Sequence, residues 1–495
     1  MGSGNGNGAS GLDPIGMNGH VGTNGHAGTN GHSGEAHAPL ELKRGGFIAG
    51  YPPFEYLELG DNEKMWSKPR FGLYVHLPYC RKRCTFCFYK VYTNRNLLPM
   101  EQYLSALHSE IDRYGANPAI RGRTVNTIYF GGGTPTTLSV EQMQALAAKL
   151  RENFTISPDV EWTVEGEPAT LDPDKARTLR EIGVTRLSIG VQSFNETLLD
   201  KNGRSHGVEH AFRAVAMARE NKFPVINIDL MSGMIDETPE TWDASLDTLI
   251  GIKPEHVSIY RMEVYKNTLL YAAGFTGPGV GGIPTDEEEL AQWHHAVARL
   301  EAAGYTQVAG HAFILKPEHN HWQRADNWSI GELLGMGVSS FSYMNGTVFQ
   351  NSSKWDEYVG MAAAGRSAVK RSVRLSSRGI MAREVVLGLK LFKLDRIAFQ
   401  KRHGFDAVEL YGSRFAQLEA EGLVTVTDDA IELTRRARDY VDIICALFYL
   451  PEHSDKRFAR FATEDELEES SVLTVAATPL AFEPRVAVAH AAAGD

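Results

Sequence analysis

Cys80-Arg81-Lys82-Arg83-Cys84-Thr85-Phe86-Cys87, directly behind the β-rich run Gly72-Leu73-Tyr74-Val75-His76-Leu77, decides how the rest of the chain is read. Three of the four cysteines of this 495-residue sequence fall within these eight positions. That is too few and too clustered for a disulfide framework, and it suits a metal. A structural zinc site would need a fourth Cys or His at short spacing. The loop holds none, and His76 lies too near the first thiolate on an extended strand. Three thiolates on an iron–sulfur cluster leave one iron open, free to accept the amino and carboxylate groups of an amino-acid ligand. Cys445 stands apart in the apolar stretch Ile443 to Leu450 and reads as a buried core residue.

Outward from this loop, short β-rich runs alternate with amphipathic helical stretches. Strands are expected at Gly72 to Leu77, Thr127 to Phe130, Glu161 to Val164, Arg186 to Ile189, Val225 to Leu230 and Val257 to Tyr260, with a helix at Val208 to Glu220. Six βα units predict an α/β fold, a partial (β/α)6 barrel over 71–315 with its chemistry at the C-terminal ends of the strands. Residues 1–40 set Gly, Asn, Ser and Thr around His20, His26, His32 and His37, a composition expected to stay disordered. Residues 41–70 form an N-terminal extension, 316–375 a connecting region and 451–495 a C-terminal tail. Between them, 376–450 carries helices around Arg383 to Leu391 and Phe415 to Glu421 and strands at Leu423 to Val426 and Ala430 to Thr434. This reads as a winged-helix-like module with a structural or lid role.

The formal charge of -11 and the lack of a basic recognition helix argue against nucleic acid as a partner. With no apolar run of about 18 residues and no secretory signal order, no membrane is expected and the cytoplasm is the default.

Further motifs follow the expected strands. Gly131-Gly132-Gly133-Thr134-Pro135-Thr136 comes after the second, where glycines let the backbone approach the amino group of a ligand. Glu165 and Glu167 end the third, Gln192 follows the fourth, and Arg204 lies beyond it. Asp229 ends the fifth in Asn227-Ile228-Asp229-Leu230. An ionised group in so apolar a strand must be compensated, either by Arg204 or by a polar ligand such as a ribose.

Five stretches together carry a resemblance: Tyr74-Val75-His76-Leu77-Pro78, the Gly-Gly-Gly-Thr-Pro-Thr loop, Val164-Glu165-Gly166-Glu167-Pro168, Leu187-Ser188-Ile189-Gly190-Val191-Gln192-Ser193-Phe194 and Leu334-Gly335-Met336-Gly337-Val338-Ser339. Over about residues 70 to 450 the chain resembles the oxygen-independent coproporphyrinogen III oxidase family of radical S-adenosylmethionine enzymes. The resemblance implies a [4Fe–4S] cluster on Cys80, Cys84 and Cys87, two S-adenosylmethionine molecules, and a flavodoxin- or ferredoxin-type reductant. Cofactor contacts are then implied at Tyr74, Phe86, Gly132, Gly133, Thr134, Glu165, Gln192, Arg204 and Asp229. After the third cysteine, Phe88-Tyr89-Lys90-Val91-Tyr92-Thr93-Asn94 stands where the oxidases carry a further Cys. This loop resembles the class C radical S-adenosylmethionine C-methylases and cyclopropanases of natural-product and antibiotic pathways. The function expected from it is transfer of a methyl or methylene unit to an sp2 carbon of a small natural-product substrate, with or without a partner methyltransferase. Oxidative decarboxylation of coproporphyrinogen III is the alternative, and heme binding or trafficking a third reading.

Overall fold

The described residues of the computed structural model are 50–53, 56–59, 70–93 and 99–450. The tails expected over 1–40 and 451–495, and most of the extension over 41–70, lie outside them.

All six expected strands form: β1 (Arg70–Leu77), β2 (Thr124–Gly132), β3 (Thr155–Gly166), β4 (Arg186–Gln192), β5 (Val225–Ser232) and β6 (His256–Arg261). Each pairs in parallel with the next. Parallel neighbours need a crossover, supplied by helices Met100–Gly115, Val140–Asn153, Pro173–Glu181, Val208–Glu220 and Pro239–Ile252. Local sequence sets where these begin. Ser139 and Gln142 form a reciprocal capping box, while Asp172 and Thr238 each cap a helix whose first residue is proline.

Side chains alternate across the sheet. Leu73, Val75, Phe130, Trp162, Val164, Leu187, Ile189, Ile226, Ile228 and Val257 are at most 2% exposed and join the helices in one core. The opposite face is polar. Near the N-terminal ends of the strands its residues Thr127, Glu161, Arg186, Asn227 and His256 are buried, whereas Tyr74, Tyr129, Glu165, Asp229 and Tyr260 at the C-terminal ends are partly accessible. The inner face thus lines a chamber with a closed floor and a mouth at the C-terminal ends of the strands.

The region 316–375, read from sequence as a connection, extends the sheet instead. Leu333–Met336 lies parallel to β1, and Phe341–Met344, Thr347–Asn351 and Val369–Arg374 follow it antiparallel. Beyond β6 lie the antiparallel strands Ala312–Ile314 and Thr306–Ala309, and at the other edge Glu58–Leu59 pairs antiparallel with Val369–Arg374, giving an open sheet of 13 strands among the described residues. Strands of three to six residues are too short to show a periodicity in sequence.

The same region closes the chamber floor with the short helix Trp322–Asn327. Glu161 accepts from the backbone N–H groups of Trp322 and Gln323, each at 3.1 Å. Arg186 donates to the carbonyl oxygens of His319 at 2.6 Å and Asn320 at 2.7 Å and lies 3.4 Å from Glu161. Gln323 donates to the Leu73 carbonyl at 2.8 Å, an approach that the missing side chain of Gly72 leaves room for.

The C-terminal module forms the expected helices as Ser377–Leu389 and Ala407–Ala420 and the expected strands as Val424–Val426 and Ala430–Leu433, and adds helix Arg396–His403 and strand Lys393–Asp395, which the sequence did not show. It is fastened to the barrel through Asp439, which accepts from Trp293 Nε1 at 3.0 Å and His294 Nε2 at 2.8 Å. Cys445 is fully buried in it, as a core residue should be. Among the described residues no helix is long and apolar enough to cross a membrane.

Candidate active site

Cys80, Cys84 and Cys87 follow the end of β1 as free thiols. Their loop is held by its own backbone and by distant strands' loops. The Cys87 N–H donates to the Cys84 carbonyl at 3.2 Å, and Arg83 donates to the carbonyls of Cys87 at 3.0 Å and Asn267 at 2.9 Å. The glycine loop after β2 backs it directly: Gly133 N–H donates to the Leu77 carbonyl at 2.9 Å and Thr134 N–H to the Tyr79 carbonyl at 2.8 Å. A Cβ on Gly133 would lie 2.8 Å from both of those oxygens, and one on Gly132, at φ +106°, would collide with the His76 ring. The glycine run therefore lets two backbones touch.

Two side chains reach the sulfurs. Thr134 Oγ1 donates to Cys80 Sγ at 3.3 Å, and Arg204 Nη1 donates to Cys84 Sγ at 3.0 Å while its Nη2 donates to the Gly190 carbonyl at 2.7 Å. Burial pushes the Cys80 thiol up to about 12 against the Thr134 hydrogen bond, and burial with the neighbouring Cys84 pushes Cys87 up to about 11. Such thiols ionise when a metal takes them, since coordination deprotonates a thiol outright. Among the described residues no three His, Cys, Asp or Glu side chains converge on a single ion. The donor set fits a [4Fe–4S] cluster with one iron left open.

The carboxylates expected at the site, Glu165 on β3 and Asp229 on β5, flank β4 and face the same chamber. Glu165 accepts from the Tyr129 hydroxyl at 2.6 Å and from the Gly132 N–H at 3.1 Å. Asp229 accepts from Asn227 Nδ2 at 2.7 Å and from the Ser188 hydroxyl at 3.0 Å. Arg204 directs its guanidinium to Cys84 and Gly190 instead. Tyr74 bonds His76 Nδ1 at 2.9 Å, and Gln192 adopts φ +70° at the end of β4. Phe86 packs against the apolar cluster of Ile235, Met262, Leu270 and Ile283. Glu167 is tied to His206 Nδ1 at 2.8 Å and to the Ser205 hydroxyl at 3.0 Å.

Tyr129, Tyr260, Tyr89, Arg186 and Arg324 also line the chamber and were not singled out from sequence. Tyr129 and Tyr260 share the inward parity of Tyr74 and Asp229 once the strand register is known. After the cysteines, Phe88 stacks on Tyr89 at 4.3 Å and lies 4.7 Å from Tyr265, forming an aromatic wall beside the cluster loop. Tyr89 keeps 54% of its surface accessible there, as a group bordering an open chamber does.

Burial pushes Glu165 from its ordinary 4.5 up to about 7, opposed by the Tyr129 hydrogen bond and reinforced by Asp229. The folded protein therefore binds more protons at this group than the unfolded chain. The stability it contributes is complete below about pH 4.5 and is lost as the pH rises through about 7. Thermal melts of the cofactor-free protein should show Glu165→Gln gaining on the wild type between pH 5 and pH 8, roughly the span of the shift. A gap that stays constant with pH would refute the assignment.

The model described as the radical SAM superfamily matches residues 74–249, and that of the HemN C-terminal domain matches 375–440. The oxygen-independent coproporphyrinogen III oxidase of Escherichia coli (strain K12) is 30% identical over 393 residues, 76% of this chain and 85% of that one. The heme chaperone HemW of Bacillus subtilis (strain 168) is 29% identical over 370 residues, 74% of this chain and 95% of that one. The solved structure of coproporphyrinogen III oxidase (HemN) from Escherichia coli superposes with a TM-score of 0.72 at 27% identity, covering 81% of this chain and 96% of that chain.

These matches overturn the expectation of C-methylation or cyclopropanation of a natural product, and with it the class C methylase resemblance and the partner methyltransferase. That expectation rested mainly on residues 88–94. Phe88 and Tyr89 form a local wall with Tyr265, and such a wall carries no information about a methyl acceptor. The likeness spans both the barrel and the C-terminal module.

Proposed function

Because the chain belongs to the oxygen-independent coproporphyrinogen III oxidase family of the radical S-adenosylmethionine superfamily, we propose that it oxidatively decarboxylates propionate side chains of coproporphyrinogen III. The observation that carries this reading is the extent of the match, which runs from the cluster loop through the chamber into the C-terminal module. In the reaction a –CH2–CH2–COO⁻ group becomes –CH=CH2 and carbon dioxide; one hydrogen atom leaves the carbon next to the ring, and one electron passes to an acceptor.

When bound, the cluster and S-adenosylmethionine supply the hydrogen-abstracting chemistry, and the protein supplies orientation and exclusion. Cys80, Cys84 and Cys87 would hold three irons, with Thr134 and Arg204 donating to two of the sulfurs. The N–H groups of Gly132, Gly133 and Thr134 already donate inside the protein. What this loop offers a ligand is carbonyl oxygen, which suits the ammonium group of an amino acid. Glu165 and Asp229 are acceptors fixed in place by neutral donors, suited to an ammonium or to ribose hydroxyls. In this reading Tyr74, Phe86, Gln192 and Arg204 complete the cofactor surroundings, and a second S-adenosylmethionine shares the chamber. Phe88, Tyr89 and Tyr265 border the cluster side as an aromatic wall.

Heme carriage is the second reading, favoured by the nearly complete span of the HemW match. An anaerobic assay with reductant, S-adenosylmethionine, coproporphyrinogen III and an electron acceptor separates the two. Decarboxylation predicts 5′-deoxyadenosine and carbon dioxide in step with porphyrinogen loss and no S-adenosylhomocysteine. A stoichiometric heme complex without S-adenosylmethionine cleavage would replace the oxidase reading with carriage.

A further inference from the structure

The chamber floor carries a cation that the protein itself leaves incompletely used. Arg186 is spent on Glu161 and on the carbonyls of His319 and Asn320. Arg324, on the floor helix, is 8% exposed and donates to Asn320 Oδ1 at 3.0 Å, but its Nε is buried without a hydrogen-bond partner. Glu161 is already engaged by Arg186 and two backbone amides. Burial and the two guanidiniums hold the imidazoles of His256 and His321 well below their ordinary range, and the Nε2 of each is likewise buried without a hydrogen bond, that of His321 lying 3.7 Å from Glu161. These imidazoles are neutral and add no charge of their own.

This floor is continuous with the cofactor end. The Tyr129 ring lies 5.5 Å from His321 while its hydroxyl donates to Glu165 at 2.6 Å. A buried guanidinium with an idle N–H is unfavourable until an anion completes it, and its planar fork matches a carboxylate. We infer that Arg324 binds a carboxylate of the substrate, a propionate other than the one reacting, and so turns the reacting propionate toward the cysteine loop. The inference rests on the porphyrinogen reading above. S-adenosylmethionine also ends in a carboxylate, and the test distinguishes the two sources.

Coproporphyrin III and its tetramethyl ester are titrated into the reconstituted full-length protein by fluorescence, with S-adenosylmethionine binding followed by calorimetry. Arg324→Gln should weaken coproporphyrin III by about ten-fold or more, the loss expected for a charged hydrogen bond. Arg324→Lys should retain part of the affinity, which separates lost charge from a folding defect. The ester should bind all three proteins equally weakly, and S-adenosylmethionine affinity should not change. Lost S-adenosylmethionine affinity with porphyrin binding intact would assign the carboxylate to the cofactor and overturn the inference. Equal coproporphyrin III affinity in wild type and Arg324→Gln would overturn it too. A wild type that binds no coproporphyrin III would overturn the porphyrinogen reading itself.

Discussion

Cys84→Ala is expected to abolish 5′-deoxyadenosine formation and to remove the brown iron–sulfur absorbance from the reconstituted protein. A cluster with three protein ligands already has one iron open, so the loss of another thiolate leaves two irons without anchorage. Cys84 is also the sulfur that receives the Arg204 guanidinium at 3.0 Å. Without it that cation keeps only the Gly190 carbonyl and the more distant His206 ring. Iron content, visible absorbance and product analysis should fall together, while Cys445→Ala, in the C-terminal core, leaves iron content unchanged. Retention of both absorbance and product by Cys84→Ala would defeat the cluster assignment.

Breaking the buried pair beneath the chamber should have the largest effect on stability. Arg186 and Glu161 have side chains 3% and 9% exposed, and between them they hold the backbone of His319, Asn320, Trp322 and Gln323. Arg186→Met leaves Glu161 charged and buried, a change that typically destabilises by about 3–5 kcal/mol. The double variant Arg186→Met/Glu161→Leu should recover part of that loss, because the stranded charge goes with its partner. Denaturant unfolding of the cofactor-free protein reads both. A single-variant loss below about 1 kcal/mol would mean that water reaches the pair and that it behaves as an exposed one.

What could be read in the sequence follows from the range of the interactions involved. The six strands were visible because each inner core position repeats within a run of a few residues, and the helix Val208–Glu220 because its apolar stripe is local. The cysteine loop was legible for the same reason. Asp229 could be recognised as a carboxylate needing compensation, and Asn227 stands two positions before it on the same strand, but Ser188 comes into view only with the register of β4 and β5. Tyr129 and Tyr260 become chamber residues through strand pairing, and Arg186 through its grip on a segment 133 positions away. The reading of function went astray at Phe88 to Asn94, where a short local departure was weighed above agreement distributed along the chain.

The floor helix Trp322–Asn327 belongs to a segment separate from the loops that hold the cysteines, and much of its anchorage to the strands is through its own backbone amides and carbonyls. Backbone anchorage is indifferent to side-chain identity. Inheritance can therefore rewrite the floor, Arg324 included, and change the size and charge of what the chamber admits without disturbing the end where the radical is made. A lineage whose members are known both as oxidases and as heme chaperones needs that kind of separable part.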